Sequence, residues 1–206
     1  MWKTSESKGA SGNATSSHLV QIKELKLGRH IFPNDRIKRV DRDILGLDFL
    51  GQFVFQIDFK SKKMCISENM PNKFSQKLRK LLTGHIVMSV ELKNKSTEAL
   101  YDTGADTTVI DFEFVKNNSD LFKWVRKENG TDIHGHVIES EIYSCNEFLI
   151  GSLKLQNVEM ATFSFGNYMR DKMEGTPIIL GNNVIAKAKW DISLKTESWM
   201  LEPYEN

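Results

Sequence analysis

One short stretch of this 206-residue chain combines residue types that can do acid–base chemistry. Within residues 98–104, an apolar run delivers the carboxylate of Asp102, which Thr103 and Gly104 follow. Glycine allows the backbone to turn sharply, and the Thr-Val-Ile of residues 108–110 then leads back to apolar surroundings. Because a positioned carboxylate can take up or release a proton, Asp102 is the candidate catalytic residue. The alternative is an ordinary turn aspartate, since Asp-x-Gly is also common turn chemistry.

The elements around this loop follow a hydrophobic period of two residues. Residues 86–92 alternate Ile, Met, Val and Leu on one side with Val, Ser and Glu on the other, which predicts a half-buried strand. Many short strands separated by turn signals predict a mainly β protein with a barrel or a sandwich. The other strand-like segments are residues 19–25, 53–59, 97–101, 137–143, 147–155, 158–165 and 189–194.

Two stretches depart from that period. Residues 72–82 predict a short amphipathic helix that connects two units, because their apolar residues fall at helical spacing. These residues are Phe74, Leu78, Leu81 and Leu82. Residues 112–125 have no clean period, and we expect a turn with a short helix there. The first 18 residues are rich in Ser, Gly, Lys and Asn, and they predict a mobile arm or an exposed hairpin.

Part of the chain is similar to a later part of the same chain, in three short matches that come in the same order. They predict that residues 19–66 are a second copy of residues 147–201. The matches are Leu25-Lys26-Leu27 with Leu153-Lys154-Leu155, Ile44-Leu45-Gly46 with Ile179-Leu180-Gly181, and residues 55–59 with residues 189–192, aligned on Asp58 and Asp191.

Residues 100–110, Leu-Tyr-Asp-Thr-Gly-Ala-Asp-Thr-Thr-Val-Ile, closely resemble the active-site loop of the retropepsins. These are the aspartic proteases of retroviruses, with relatives in retrotransposons and cellular genes. Further pieces come in the family's order: a strand before the loop, a Gly-containing hairpin at residues 133–137, and an apolar strand, Gly and short helix at residues 177–185. The resemblance covers about residues 85–201. It implies a closed or partly open β-barrel with a short C-terminal helix, preceded by a partial copy of the same fold.

The resemblance also implies roles for single residues. Asp102 would be one half of a catalytic dyad, and the active-site loop and substrate-binding residues would be Thr103, Gly104, Ala105 and Asp106. The substrate-covering flap would be Ile133, His134, Gly135 and His136. Many retroviral enzymes have an Arg after the Gly of the C-terminal segment, where it pairs with the carboxylate that corresponds to Asp106. Here Asn182 follows Gly181, so that charge partner is absent.

Hydrolysis of a peptide bond by this chemistry needs two carboxylates, one as base and one as acid. Two carboxylates about 3 Å apart cannot both ionise, so they share one proton. The sequence contains Asp-Thr-Gly once and Asp-Ser-Gly nowhere, and the repeat would put a second loop before Met1. The second Asp would therefore come from an upstream segment of a tandem protein or from the same loop of a homodimer partner.

These observations predict three segments: a partial retropepsin-like unit at residues 1–70, a helical linker at residues 71–84, and a complete unit at residues 85–206. The expected function is an aspartic endopeptidase that acts on an extended polypeptide, in a retroelement or a domesticated gene. The alternative is a catalytically silent module of the same fold that binds peptides or dimerises.

Composition excludes several other classes of protein. A net charge of +1 gives no overall attraction to nucleic acid, and the longest apolar runs are far shorter than a membrane span. The start of the chain has no apolar signal core, which predicts a cytoplasmic protein. Cys65 and Cys145 are predicted as buried, reduced thiols. No cofactor is expected, and His134 and His136 alone are at best half of a metal site.

Overall fold

The computed structural model describes residues 3–8, 14–33, 36–38, 44–68, 74–131 and 137–205. Strands predominate in it, as expected, and the helices are short. The strands are β1 Lys3–Lys8, β2 Ala14–Gln21, β3 Glu24–Leu27, β4 His30–Pro33, β5 Arg36–Lys38, β6 Val54–Asp58, β7 Lys63–Ser67, β8 Gln76–Lys80, β9 Ile86–Leu92, β10 Lys95–Tyr101, β11 Val109–Asp111, β12 Phe122–Thr131, β13 Val137–Ile150, β14 Leu153–Phe163, β15 Ile178–Leu180, β16 Ala188–Ser193 and β17 Ser198–Pro203. The helices are α1 Leu47–Leu50, α2 Phe112–Asn117, α3 Asn167–Lys172 and α4 Asn182–Ile185, with a 3₁₀ turn at Ser119–Leu121.

The chain divides into two units, and the smaller one comprises residues 1–44 and 129–138. In it, β1 and β2 form an antiparallel hairpin, which confirms the hairpin alternative for the start of the chain, and β5 pairs with β2. Strands β3 and β4 form a separate two-stranded hairpin. Each predicted strand segment of the chain overlaps an observed strand.

The larger unit, residues 45–128 and 139–206, contains a closed barrel of six strands. The strand order is β13-β14-β11-β15-β10-β9, and pairing of Phe148 with Leu92 joins β13 to β9 and closes the ring. Strand β9 occupies the predicted residues. It was predicted to be half-buried, but at its N-terminal end both faces are buried, since Ile86 and Val87 are 0% and 1% exposed. Val87 packs in a cluster with Leu81, Leu100, Phe165 and Met173.

A second part of the same sheet extends from the barrel in the order β8-β17-β16-β6-β7. The helix predicted at residues 72–82 is wrong, because residues 76–80 form β8, which pairs with both β9 and β17. Burial does not follow the predicted helical face, since Leu78 and Leu81 are buried whereas Leu82 is exposed, and strand pairing decides the structure of this segment. Arg79 fixes β8 further through ion pairs with Glu98 and Glu174.

The segments around Gly46 and Gly181 fold in the same way, at a constant offset of 135 residues. Each glycine precedes a four-residue helix, α1 or α4, and each helix leads into an antiparallel hairpin, β6–β7 or β16–β17. The two hairpin turns use the same bonds, since Asp58 accepts from the backbone and hydroxyl of Ser61 as Ser193 accepts from those of Thr196.

The same offset relates the backbone and the core of the two segments. Lys62 and Glu197 both have positive φ, at 54° and 48°. Buried residues recur at equivalent positions: Phe49, Leu50, Phe53 and Phe55 in the first segment, and Val184, Ile185, Ala188 and Trp190 in the second. The predicted alignment of Asp58 with Asp191 is therefore wrong by two residues, because the turns align Asp58 with Ser193.

Residues 112–125 contain the expected turn and short helix. Asp111 begins α2 by accepting from the backbone of Glu113, and its carboxylate also pairs with Arg170, which raises the pKa of that guanidinium. Cys145 is buried as predicted, but the prediction is wrong for Cys65, which is exposed on β7. No helix in the described part of the chain is long and apolar enough to span a membrane.

Candidate active site

Asp102 lies directly after β10, at the edge of the barrel. Strand β10 pairs in parallel with β15, which places Tyr101 beside Leu180, and the Asp102 backbone N–H donates to the Leu180 carbonyl at 3.3 Å. The Tyr101 ring is buried and packs edge-on against Trp190 at 5.1 Å, and burial raises the pKa of its hydroxyl. The buried strand therefore fixes the backbone of Asp102, while its side chain is exposed.

The turn that follows fixes the carboxylate itself. Asp102 Oδ1 accepts a hydrogen bond of 2.8 Å from the Gly104 N–H, and the Ala105 N–H donates to the Asp102 carbonyl at 3.3 Å. A Cβ atom on Gly104 would lie 3.1 Å from Asp102 Oδ1, so glycine leaves room for the carboxylate. The Asp102 side chain is exposed, so its carboxylate can meet solvent or a ligand.

The C-terminal segment crosses the loop at Gly181. A Cβ atom there would lie 2.6 Å from both the Thr107 carbonyl oxygen and the Thr108 nitrogen, a distance that real side chains do not adopt. Only glycine permits this crossing without a backbone shift, because every other residue carries a Cβ. The Gly of the predicted Ile-Leu-Gly segment is thus required by contact with the candidate catalytic loop.

Asn182 and Asn183 bond to the loop mainly through their backbone N–H groups. The Asn182 backbone donates to the Ala105 carbonyl at 2.8 Å, and the Asn183 backbone donates to the Asp106 carbonyl at 3.1 Å. Asn182 Nδ2 also donates to the Thr103 carbonyl at 3.2 Å. These hydrogen bonds to backbone carbonyls hold the loop, and within the described part of the chain no ion pair to the Asp106 carboxylate accompanies them.

Sequence reasoning missed Thr108 and Asn183, which join three segments below the loop. Asn183 Oδ1 accepts from the backbone and the hydroxyl of Thr108, at 2.8 and 2.7 Å, and Asn183 Nδ2 donates to the Glu159 carbonyl at 2.8 Å. The buried Thr108 hydroxyl oxygen accepts from the Gly181 N–H at 3.1 Å. The available signal was a polar residue directly before an apolar pair, at residues 108–110 and at residues 183–185, since polar groups next to a core need partners.

The structure brings residues 102–106 and 181–183 together, but it leaves other predicted site residues untested. The flap residues Ile133, His134, Gly135 and His136 lie outside the described residues. Among the described residues, no group of three or more His, Cys, Asp or Glu side chains is placed to hold a metal ion.

Known proteins of similar structure include an aspartic protease. No family model and no curated protein matches the chain. Among solved structures, it matches the crystal structure of a retropepsin-like aspartic protease from Rickettsia conorii, with 13% sequence identity and a TM-score of 0.40, over 64% of this chain and 96% of that chain. At this identity and this TM-score, the likeness carries no argument about function.

Proposed function

We propose that the chain is one catalytic half of an aspartic endopeptidase, with Asp102 as its member of the dyad. The observation that supports this is the presentation of Asp102. Its carboxylate is exposed at the end of a buried strand, it accepts an N–H from Gly104, and its loop is closed by the backbone crossing at Gly181. A turn aspartate needs no such crossing, whereas a catalytic carboxylate must be held in place and yet reach its substrate.

The second carboxylate comes from another Asp-Thr/Ser-Gly loop, either in a homodimer partner or in an upstream segment. The two carboxylates then share one proton, and one of them takes a proton from water while the other protonates the leaving amide nitrogen. In this proposal, residues 103–106 border the cleft and residues 133–136 cover it. The substrate is an extended polypeptide, which adds a strand beside the cleft and places alternate side chains in pockets.

We also propose that residues 1–70 include a partial copy of the unit that spans residues 85–206. The support is the constant offset of 135 residues between α1–β6–β7 and α4–β16–β17, in helix starts, turn bonds and buried positions. Such a copy makes the larger unit a pseudo-symmetric pair in which one Asp-Thr-Gly loop is present.

The test is peptide cleavage at mildly acidic pH, measured by mass spectrometry of products from a mixture of unfolded proteins. The full chain is compared with a fusion that repeats residues 75–131 before Met1 and so supplies a second loop at high effective concentration. We expect cleavage that pepstatin blocks and that Asp102→Asn abolishes. The matched control is Asp120→Asn, an exposed carboxylate in a 3₁₀ turn, which should keep the activity. Cleavage that survives Asp102→Asn contradicts the proposal.

One observation favours a second candidate, a silent module that binds peptides without cleaving them. The sequence contains a single Asp-Thr-Gly, and one carboxylate cannot act as base and acid in the same step. Folded protein that binds peptides, with no cleavage by the full chain or by the fusion, would support this candidate over the enzyme.

A further inference from the structure

The five strands beside the barrel have a local two-fold arrangement with one position unfilled. In the order β8-β17-β16-β6-β7, strands β16 and β6 are the central antiparallel pair, and each has its own hairpin partner outside it. Beyond β17 lies β8. Beyond β7, the described part of the chain provides no strand. By the two-fold relation, the outer edge of β7 is therefore equivalent to the outer edge of β17, which pairs with β8.

Burial differs between the two equivalent strands in the way that a missing neighbour would cause. Trp199 on β17 is 1% exposed, whereas its equivalent on β7, Met64, is 42% exposed. Ser198 is buried, and its equivalent Lys63 is exposed. The β6–β7 hairpin thus has the same backbone arrangement as the β16–β17 hairpin, but the residues of β7 are more exposed than their equivalents on β17.

The backbone of β7 presents hydrogen-bonding groups at this edge. On the filled side, the Leu78 N–H donates to the Glu197 carbonyl, and Trp199 lies opposite Gln76 two residues further along β17. Because alternate residues of an antiparallel strand point their backbone groups to the same neighbour, those of Trp199 face β8. The equivalent groups of Met64 face the open edge of β7.

We propose that the open edge of β7 binds an acidic β-strand that belongs to the segment carrying the second Asp-Thr/Ser-Gly loop. The identity of that segment rests on the proposed function, whereas the addition of a strand to β7 does not. By the two-fold relation, the added strand runs antiparallel to β7 and corresponds to β8. In this chain β8 is followed by β9 and β10, and the Asp102 loop comes directly after β10.

Charge distinguishes this strand from β8 of a second copy. The turn and start of β7 carry Lys60, Lys62 and Lys63, whereas the equivalent turn of β17 has Glu197 at the position of Lys62. Strand β8 is basic, with Lys77, Arg79 and Lys80, and in each copy it is already bonded to its own β17. Like charges on facing strands are destabilising, so β7 selects a strand with carboxylates at the positions of Lys77 and Arg79.

The same geometry limits association of two identical chains. The outer edge of β16, where two symmetric halves would meet, is already covered by β6 through five residue pairs, from Lys189 with Asp58 to Ser193 with Val54. The chain therefore contains its own substitute for that contact, and the unfilled position is at β7.

The experiment uses the full chain and a synthetic peptide of residues 75–92 that carries Lys77→Glu and Arg79→Glu. We expect one peptide to bind per chain by fluorescence anisotropy, more tightly than the unmodified peptide, and more weakly as salt is raised. The variant Met64→Pro removes the N–H that faces the edge but none that faces β6, and it should weaken binding roughly tenfold or more. Met64→Thr keeps the N–H and should bind as the parent does.

Three results would overturn the proposal: equal binding by Met64→Pro, no binding of the acidic peptide by the folded parent chain, or a dimer in native mass spectra that Met64→Pro dissociates. The last would identify a second copy as the occupant. Thermal unfolding of Met64→Pro checks that the β6–β7 hairpin is intact. None of these measurements depends on peptide cleavage, so a failed docking edge and a failed enzyme are distinguishable.

Discussion

Gln56 and Asp191 lie directly opposite each other in the β6–β16 ladder, and Gln56 Nε2 donates to Asp191 Oδ1 at 2.8 Å. The two residues are also equivalent under the offset of 135 residues that relates the two hairpins. A residue that faces its own equivalent marks a local two-fold axis, so this bond sits where the two halves of the sheet meet. The pair is half-buried, and its hydrogen bond has a charged acceptor.

Replacing Gln56 should weaken the junction between the two halves. We expect Gln56→Ala to lower the free energy of unfolding by about 1–2 kcal/mol, because Asp191 loses a partner in a half-buried site. Gln56→Glu should lower it further at neutral pH, since two carboxylates would then face each other. Urea unfolding measures both changes. Gln52→Ala, at an exposed position, is the control and should be neutral; an equal loss there would mean that the bond across the axis contributes nothing.

The crossing at Gly181 predicts an intolerance to any side chain. Gly181→Ala should cost at least about 2 kcal/mol of unfolding free energy, because the new Cβ would meet the backbone of Thr107 and Thr108, which cannot rotate away. Gly130→Ala is the matched control, since a Cβ there meets nothing within 4 Å. Thermal unfolding with circular dichroism compares the two. A Gly181→Ala protein as stable as the control would show that the loop and the C-terminal segment are not in contact.

The bonds of Thr108 predict a separate effect on the loop. Thr108→Val keeps the shape of the side chain but leaves the buried Gly181 N–H and Asn183 Oδ1 without this partner, which should cost roughly 1–3 kcal/mol. The loss should also loosen the turn that carries Asp102. Amide hydrogen exchange at residues 102–108 should rise above that of the parent, while Thr107→Val, at an exposed neighbouring position, should leave the exchange unchanged. Unchanged exchange in Thr108→Val would remove Thr108 from the support of the loop.

Elements that local sequence signals specify were predictable, whereas an element that depends on long-range strand pairing was not. Strand β9 and the β10 loop were predictable because alternation and an Asp-Thr-Gly turn are local signals. Strand β8 was not, because the apolar residues of this segment, Leu81 included, fall at helical spacing, and pairing with β9 and β17 overrides that local signal.

The candidate site divides in the same way. Asp102 and Gly181 were identified from short motifs, whereas the contacts that join them required the fold. Asn183 and Thr108 are 75 residues apart in the chain, and nothing local specifies that one amide oxygen accepts from both donors of the other residue. The likeness between the segments around Gly46 and Gly181 was detectable from short matches, but the alignment of Asp58 was not, since the turn bonds of Asp58 and Ser193 define it.

The turn at Asp58 predicts a dependence of stability on pH. The Ser61 hydroxyl, and then the Tyr204 hydroxyl and backbone N–H groups, donate to the Asp58 carboxylate and hold its pKa well below the ordinary value of 3.8. A group whose pKa is lowered by folding stabilises the folded state above its unfolded pKa, and this contribution disappears as the pH falls below that value. Ser61→Ala should therefore raise the pKa of Asp58 more than Tyr204→Phe does, and both variants should lose less stability than the parent between about pH 4 and the acid limit.

Carbon-13 titration of the Asp58 carboxyl by NMR measures the pKa directly. Tyr143→Phe, which removes a hydroxyl bonded to Glu141 instead, is the control and should leave the Asp58 titration unchanged. If Asp58 titrates near 3.8 in the parent, the bonds from Ser61 and Tyr204 do not stabilise its charge, and the acid dependence must come from other carboxylates.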